Sequence, residues 1–289
     1  MTKIYIMVKQ LNIDMNKLYK EKGVASVIGT LFALLLAVTI LSAFMTQYVP
    51  VYMKTNEAQH DIQVLSGFSQ IKTVTDLLVS TGEENYSFTV SIPMGANGIP
   101  IFAPSTPSML KINPSPNPIV SLKIIEYGNK SFYQNSSGYF DTTIFNSYYP
   151  EEKIIFVNGA VIRENVNENR STVYVGPGFS LKNSSSGTVL NFIIYDILGP
   201  PSSYSGTDTL NIEISLLGIQ KISYTNVVNA NLSVNNSYNY AYSLIGWYYN
   251  QSQLFGYYTL NPPISNYLNF NVTQVNVEIA YINVQFSSY

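Results

Sequence analysis

The stretch KGVASVIGTLFALLLAVTILSAFMT, Lys22 to Thr46, decides how this chain is read. After Lys22-Gly23 it carries no charged side chain, and none follows until Lys54. Upstream, Lys3, Lys9, Lys17, Lys20 and Lys22 crowd the first residues. At about 1.5 Å per residue, Val24 to Thr46 forms a helix of about 35 Å, enough to cross a bilayer core of about 30 Å. The lysine excess predicts a cytoplasmic N-terminus and an extracellular remainder. Residues 1–23 therefore read as a leader or cytoplasmic segment and residues 24–49 as a transmembrane span. The expected location is the cell membrane, crossed once.

Helical periodicity continues past the apolar run. Ile62, Leu65, Phe68, Ile71, Val74 and Leu78 recur every three or four positions, interleaved with Gln63, Ser69, Lys72 and Asp76. Pro50 between the two stretches is expected to kink or briefly break the helix. Tyr48 and Tyr52 flank it at the depth of interfacial aromatics. Within the apolar part, Ala25, Gly29, Ala33 and Ala37 recur every fourth residue and stack along one face, where a second helix could approach closely. The prediction is one helix over 24–80, apolar first and amphipathic afterwards.

From Glu83 the period changes to two. Phe88-Val90-Ile92, Val120-Leu122-Ile124, Leu190-Phe192-Ile194, Leu210-Ile212-Ile214-Leu216 and Val275-Val277-Ile279-Tyr281 alternate with polar residues. Gly176-Pro177-Gly178, Asn183 to Gly187 and Gly199-Pro200-Pro201 punctuate them. Seven prolines between Pro93 and Pro118 predict an extended crossover or loop. The fold class expected is α+β: the long helix, then an antiparallel β-sandwich over residues 83–289.

The 289 residues contain no cysteine, so packing and strand pairing must stabilise the exported part without disulfides. A charged fraction of 11 % and a net charge of −2 provide no basic field for nucleic acid. The 24 tyrosines, with abundant asparagine and serine, make a neutral polar surface.

A Lys-Gly junction, an uncharged helix, an amphipathic continuation and a β domain together resemble the type IV pilin-like proteins of archaea. The run Gly23-Val24-Ala25-Ser26-Val27-Ile28-Gly29 is similar to the start of archaeal pilins, and Asn158-Gly159-Ala160-Val161-Ile162 and the strand from Leu210 to Leu217 resemble a cluster of larger members. The resemblance implies a class III signal peptide, cut by a prepilin peptidase between Gly23 and Val24. It also implies that the helix leaves lipid to pack with copies of itself or other pilin-like subunits in a filament or surface complex. One departure is Ile28, at the fifth mature position, where bacterial pilins carry a glutamate.

Catalytic chemistry has little to draw on. His60, the single histidine, lies beside Asp61 on the amphipathic helix and is expected to be solvated. Glu83-Glu84 and Glu151-Glu152 could serve a glycosidase or calcium, yet adjacent carboxylates on a turn usually only hydrate it. No phosphate-cradling glycine loop is present. No enzyme activity, metal or cofactor is expected.

Sequons occur at Asn85, Asn129, Asn135, Asn169, Asn183, Asn231, Asn235, Asn250 and Asn271, all on the expected outer side. The aromatic run Tyr238 to Tyr258 (Tyr240, Tyr242, Trp247, Tyr248, Tyr249, Phe255, Tyr257, Tyr258) is a candidate contact surface, with core filling as the favoured alternative. The expected function is that of a pilin-like glycoprotein subunit, major or minor, acting in adhesion. The alternative is an uncleaved, signal-anchored monomeric receptor or carbohydrate-binding protein. A surface hydrolase using those glutamates is a distant third. A secretory signal cut near Leu41-Ser42-Ala43 fits poorly, because the site is poor and the run long.

Overall fold

The computed structural model describes residues 26–84, 86–185, 187–254 and 266–287. The leader 1–23, Gly23, Val24, Ala25, the sequon at Asn85 and the aromatics Phe255, Tyr257 and Tyr258 lie outside the described residues. The chain divides into two units, Met1–Tyr52 and Met53–Tyr289. One helix, α1 (Ser26–Thr81), runs from the first into the second.

In the first unit the helix does not break at Pro50. Proline lacks an N–H donor, and its ring crowds the carbonyl four residues back, here that of Thr46. The winding loosens instead into a π turn over Phe44–Tyr48, in which the Val49 N–H donates to the Phe44 carbonyl five residues back. Tyr48 stacks between Phe44 and Tyr52, at ring-centroid distances of 4.9 and 6.1 Å.

The second unit holds the rest of α1 and a β domain. Its strands are β1 (Ser87–Pro93), β2 (Gly95–Ala96), β3 (Thr106–Glu126), β4 (Ser131–Ile144), β5 (Glu152–Val157), β6 (Ala160–Asn165) and β7 (Arg170–Val175). They continue as β8 (Phe179–Ser184), β9 (Gly187–Leu198), β10 (Ser202–Gly206), β11 (Thr209–Thr225), β12 (Val227–Val234), β13 (Tyr267–Phe270) and β14 (Gln274–Phe286). A second helix, α2 (Ala241–Leu254), separates β12 from β13. One sheet has five strands in the order β1-β11-β14-β9-β8. The other has nine: β13-β12-β3-β4-β5-β6-β7, with β2 and β10 also on β3. Both curl into half-barrels, and the α+β class read from the sequence holds.

Strand pairing is antiparallel with one exception among the described residues: β14 lies parallel to β9, from Gln274↔Val189 to Asn283↔Leu198. Parallel neighbours need a long crossover, which the chain between Leu198 and Gln274 supplies. A two-residue hairpin joins β5 to β6 through Asn158 and Gly159 at φ 47° and 72°, with Val157 opposite Ala160. Left-handed backbone at both central residues is what a two-residue hairpin demands, and Asn-Gly tolerates it best.

The sheets bury two separate cores. Phe68, Ile71 and Leu78 of α1 pack with Ile92, Phe140, Phe156, Ile212 and Ile282 in the first. Ile245 and Tyr248 of α2 pack with Leu122, Phe192, Phe270 and Val277 in the second. Because side chains alternate along a strand, β14 serves both. Val275, Val277 and Ile279 face the α2 core, and Ala280, Ile282 and Val284 face the α1 core from the opposite side. Strand β9 divides likewise, Leu190-Phe192-Ile194 from Tyr195 and Ile197. A bulge between Leu216 and Gly218 shifts the parity of β11 to match.

Three expectations need correction. Ile62 is 64 % exposed, and Val64 takes its place in the buried stripe. At 100° per residue Ile62 stands opposite Ile71, whereas Val64 lies only 40° from Phe68. The proline-rich segment is a loop only up to Ser105, and the remainder belongs to the 21-residue β3. Its prolines at 114–118 coincide with register shifts between Asn113 and Val120, where the ladder needs no donor. The period-two region is also interrupted by α2, whose buried Ala241, Leu244, Ile245, Tyr248 and Ser252 follow helical spacing.

Candidate functional site

Within the first unit, α1 is one helix long and apolar enough to cross a membrane, consistent with a membrane anchor. Its large side chains stand open: Leu31, Phe32, Leu34, Leu35 and Leu36 are all exposed. The threonine hydroxyls are satisfied locally. Thr30 donates to the Val27 carbonyl (2.8 Å), Thr39 to that of Leu35 (2.7 Å) and Thr46 to that of Ser42 (2.9 Å). A hydroxyl satisfied by its own helix loses little in a dry environment. Gly29, Ala33 and Ala37 are exposed on the same helix, and nothing lies within 4 Å of where a Cβ on Gly29 would stand.

In the second unit, the first turns of α1 carry carboxylates inward. Glu57 is fully buried, and its carboxylate accepts the backbone N–H groups of Ser147 (2.9 Å), Tyr148 (2.8 Å) and Tyr149 (2.7 Å). Asp61 receives Asn146 Nδ2 on both oxygens at 3.1 Å. His60 Nε2 meets the Pro93 carbonyl at 3.0 Å, which makes that nitrogen the protonated one. Its Nδ1 is buried with no hydrogen-bond partner among the described residues.

The solvated His60 expected from the sequence is thus corrected: it is 2 % exposed, as is Asp61 beside it. Burial drives both titrations. It raises the Asp61 carboxyl to about 7, with Asn146 opposing and Glu152 assisting. It lowers His60, against the raising pull of the Pro93 carbonyl and Glu57. Glu57 and Asp61 clamp the loop after β4 onto the helix, and His60 ties the helix to the end of β1.

The acidic pairs fare differently. Glu83 and Glu84 are exposed after α1. Glu152 is buried at the start of β5 and paired through both oxygens with Arg163, so it does not simply hydrate a turn. Lys72, read as part of the polar face, is also buried. It pairs with Asp76 and lies 5.0 Å from the centre of the Tyr195 ring, whose hydroxyl donates to Asp76 at 2.6 Å. Burial, with Asp76 beside it, pushes the Tyr195 phenol well up. Among the described residues no group of three or more His, Cys, Asp or Glu could hold a metal ion.

Of the sequons, Asn129, Asn135, Asn169, Asn183, Asn250 and Asn271 are exposed, while Asn231 and Asn235 are half-buried. Asn235 is engaged locally, accepting the Ser237 N–H at 3.0 Å. Ser252, the hydroxyl residue of the Asn250 sequon, is buried and donates to the Tyr249 carbonyl at 2.6 Å. The aromatic run does not form one surface: Tyr240 and Tyr248 are buried and Tyr242 is exposed.

Glu57 and Lys72 were not singled out as buried from the sequence. For Glu57 the signal was present, since 53, 57, 60, 64, 68, 71, 75 and 78 keep the three-or-four spacing, but its charged type concealed it; Lys72 lies off that series, beside Ile71. Comparison with protein-family models, with curated proteins and with solved structures finds no match to this chain.

Proposed function

We propose that this chain is a type IV pilin-like cell-surface subunit, inserted by its apolar helix and assembled into a filament or surface complex for adhesion. The observation that supports it best is the contrast within α1. Its N-terminal part exposes an unbroken apolar surface with its threonine hydroxyls satisfied internally, and its C-terminal part is built into a β core. An apolar surface of that extent is stable in lipid or against other apolar helices and is costly in water. The open positions at Gly29, Ala33 and Ala37 suit close approach by a second helix. In this reading the leader is removed before Val24, and the β domain, with its exposed sequons, faces outward.

The deciding experiment is mass spectrometry of the N-terminal peptide from the native host, with sheared surface material analysed beside membranes. A start at Val24 and recovery in the sheared fraction are the expected results. A start at Met1 or Thr2, with all protein retained as detergent-extractable monomer, would leave the helix as a permanent anchor and overturn the subunit reading.

A further inference from the structure

Register across the five-stranded sheet arranges side chains in rows. Tyr195, Ala280 and Ile219 form one row, Ile193, Glu278 and Lys221 the next, and Asn191, Asn276 and Ser223 the one after. The first row belongs to the core beneath α1. That helix ends at Thr81; its last turns still border the second row through Val79 and Ser80, and no α1 residue lines the hollow that continues over the third. The hollow beside Lys72 and Asp76 has a volume of about 670 Å³, and a second of about 370 Å³ follows along the strands. The two share Ile193, Lys221 and Glu278, and so form one groove among the described residues. Each falls within the size range of small-molecule sites, about 300–1,000 Å³.

We propose that this groove binds a linear, neutral glycan through its hydroxyl groups. The charges along it cancel in pairs, Lys72 with Asp76 and Lys221 with Glu278 at 3.1 Å, leaving no net field for an anion or a cation. Beyond the Lys221–Glu278 pair, in the next row, runs a ladder of carboxamides and hydroxyls. Asn276 Nδ2 donates to Asn191 Oδ1 at 2.9 Å, and Asn276 Oδ1 accepts Ser223 Oγ at 2.8 Å and Gln274 Nε2 at 2.9 Å.

These bonds hold the amides in place and leave further N–H groups and lone pairs for a ligand. Adjacent donors and acceptors match a sugar hydroxyl, which is both. Ile193 supplies an apolar floor for the C–H face of a ring. A peptide fits less well within the groove, because β14 at its centre is paired on both sides, and the one open edge nearby is the outer side of β11 past Ser215, where β1 no longer pairs with it. The inference deepens the adhesive role proposed above and uses its outward-facing β domain, while binding by the purified protein is read independently of leader processing or assembly.

The test uses the full chain in a detergent without sugar headgroups, titrated with maltohexaose, cellohexaose and mannohexaose, and with hexagalacturonate as the anionic comparison. Trp247 is the single tryptophan and lies 6.5 Å, ring to ring, from Phe179, which lines the groove, so its fluorescence serves as one readout and calorimetry as another. The expected result is saturable binding of at least one neutral hexasaccharide with Kd on the order of 10–1,000 μM. Asn276→Ala and Ser223→Tyr, the second filling the groove from an exposed strand position, should each weaken it about tenfold or more at an unchanged thermal midpoint. Should Asn276→Ala not fold, Ser223→Tyr decides alone. The proposal is overturned by no binding up to about 10 mM, by folded variants that bind like the wild type, or by tighter binding of hexagalacturonate. An N-terminus at Met1 would sink the subunit reading and leave a positive glycan result standing.

Discussion

Asn158 Oδ1 accepts the backbone N–H of Tyr195 at 3.1 Å, while the Asn158 Nδ2 donates to the Tyr248 hydroxyl at 3.1 Å. Tyr195 belongs to the core beneath α1 and Tyr248 to the core around α2, so one buried side chain in a two-residue turn joins both. Asn158→Ala should lose both bonds, strand a buried donor (the Tyr195 N–H) and a buried acceptor (the Tyr248 hydroxyl oxygen) and keep the left-handed backbone strain. Denaturant unfolding of the full chain should show a loss of about 2–5 kcal/mol. Asn129→Ala, at an exposed turn with φ 63°, isolates the backbone cost at about 1 kcal/mol.

Gly176 lies under the indole of Trp247, where a Cβ would stand 2.0 Å from the ring. Gly176→Ala should push the indole away from Phe179 and Tyr248. The expected result is a shift in tryptophan emission and a loss of about 1–3 kcal/mol. Unchanged emission would mean that the indole does not pack there.

Burial of Asp61 makes stability depend on pH in a defined sense. Its folded carboxyl titrates at about 7, above the ordinary value of 3.8, so the folded state holds the proton more tightly. The contribution is fully present below about pH 4 and is lost as pH rises through 7. Asp61→Asn keeps an acceptor for Asn146 and removes the charge. Above pH 7 the variant should be more stable than the wild type, by an unfolding free energy on the order of 2 kcal/mol in denaturant titrations. The gap should close toward pH 4. His60 acts in the opposite sense, its lowered value costing stability as pH falls below 6.5, and it cancels in this comparison.

Glu57 gathers three backbone N–H groups that have no other way to be satisfied once the loop is docked. Glu57→Ala should cost about 3–5 kcal/mol. Glu57→Gln, which retains one acceptor, should cost about 1–3 kcal/mol. Hydrogen exchange at Ser147, Tyr148 and Tyr149 should accelerate in both, more so in the alanine variant.

The strands at Leu210–Leu216 and Val120–Ile124 were legible because each buries one face, and alternation records that directly. Tyr195 and Ala280 show where alternation stops being informative, since each strand turns one face to one core and the other face to another. A window centred there holds apolar residues of both parities. Helix α2 is masked in the sequence by its tyrosines, which carry both apolar and polar character and blur the spacing of Leu244, Ile245 and Tyr248. The groove left no mark in the sequence at all: Asn191, Ser223 and Asn276 are distant along the chain and ordinary in type.

Residue polarity at short range is enough to define the apolar helix, its amphipathic continuation and the change to strand periodicity. The burial of polar residues of α1, the parallel β9–β14 pair and the limit of α1's cover over the sheet arise in the folded chain alone. Each depends on partners tens to hundreds of residues away: Glu57 on Ser147 to Tyr149, Asp61 on Asn146, Lys72 on Tyr195. A charged side chain can enter a core once such a partner exists, and no local pattern of polarity records that the partner is there.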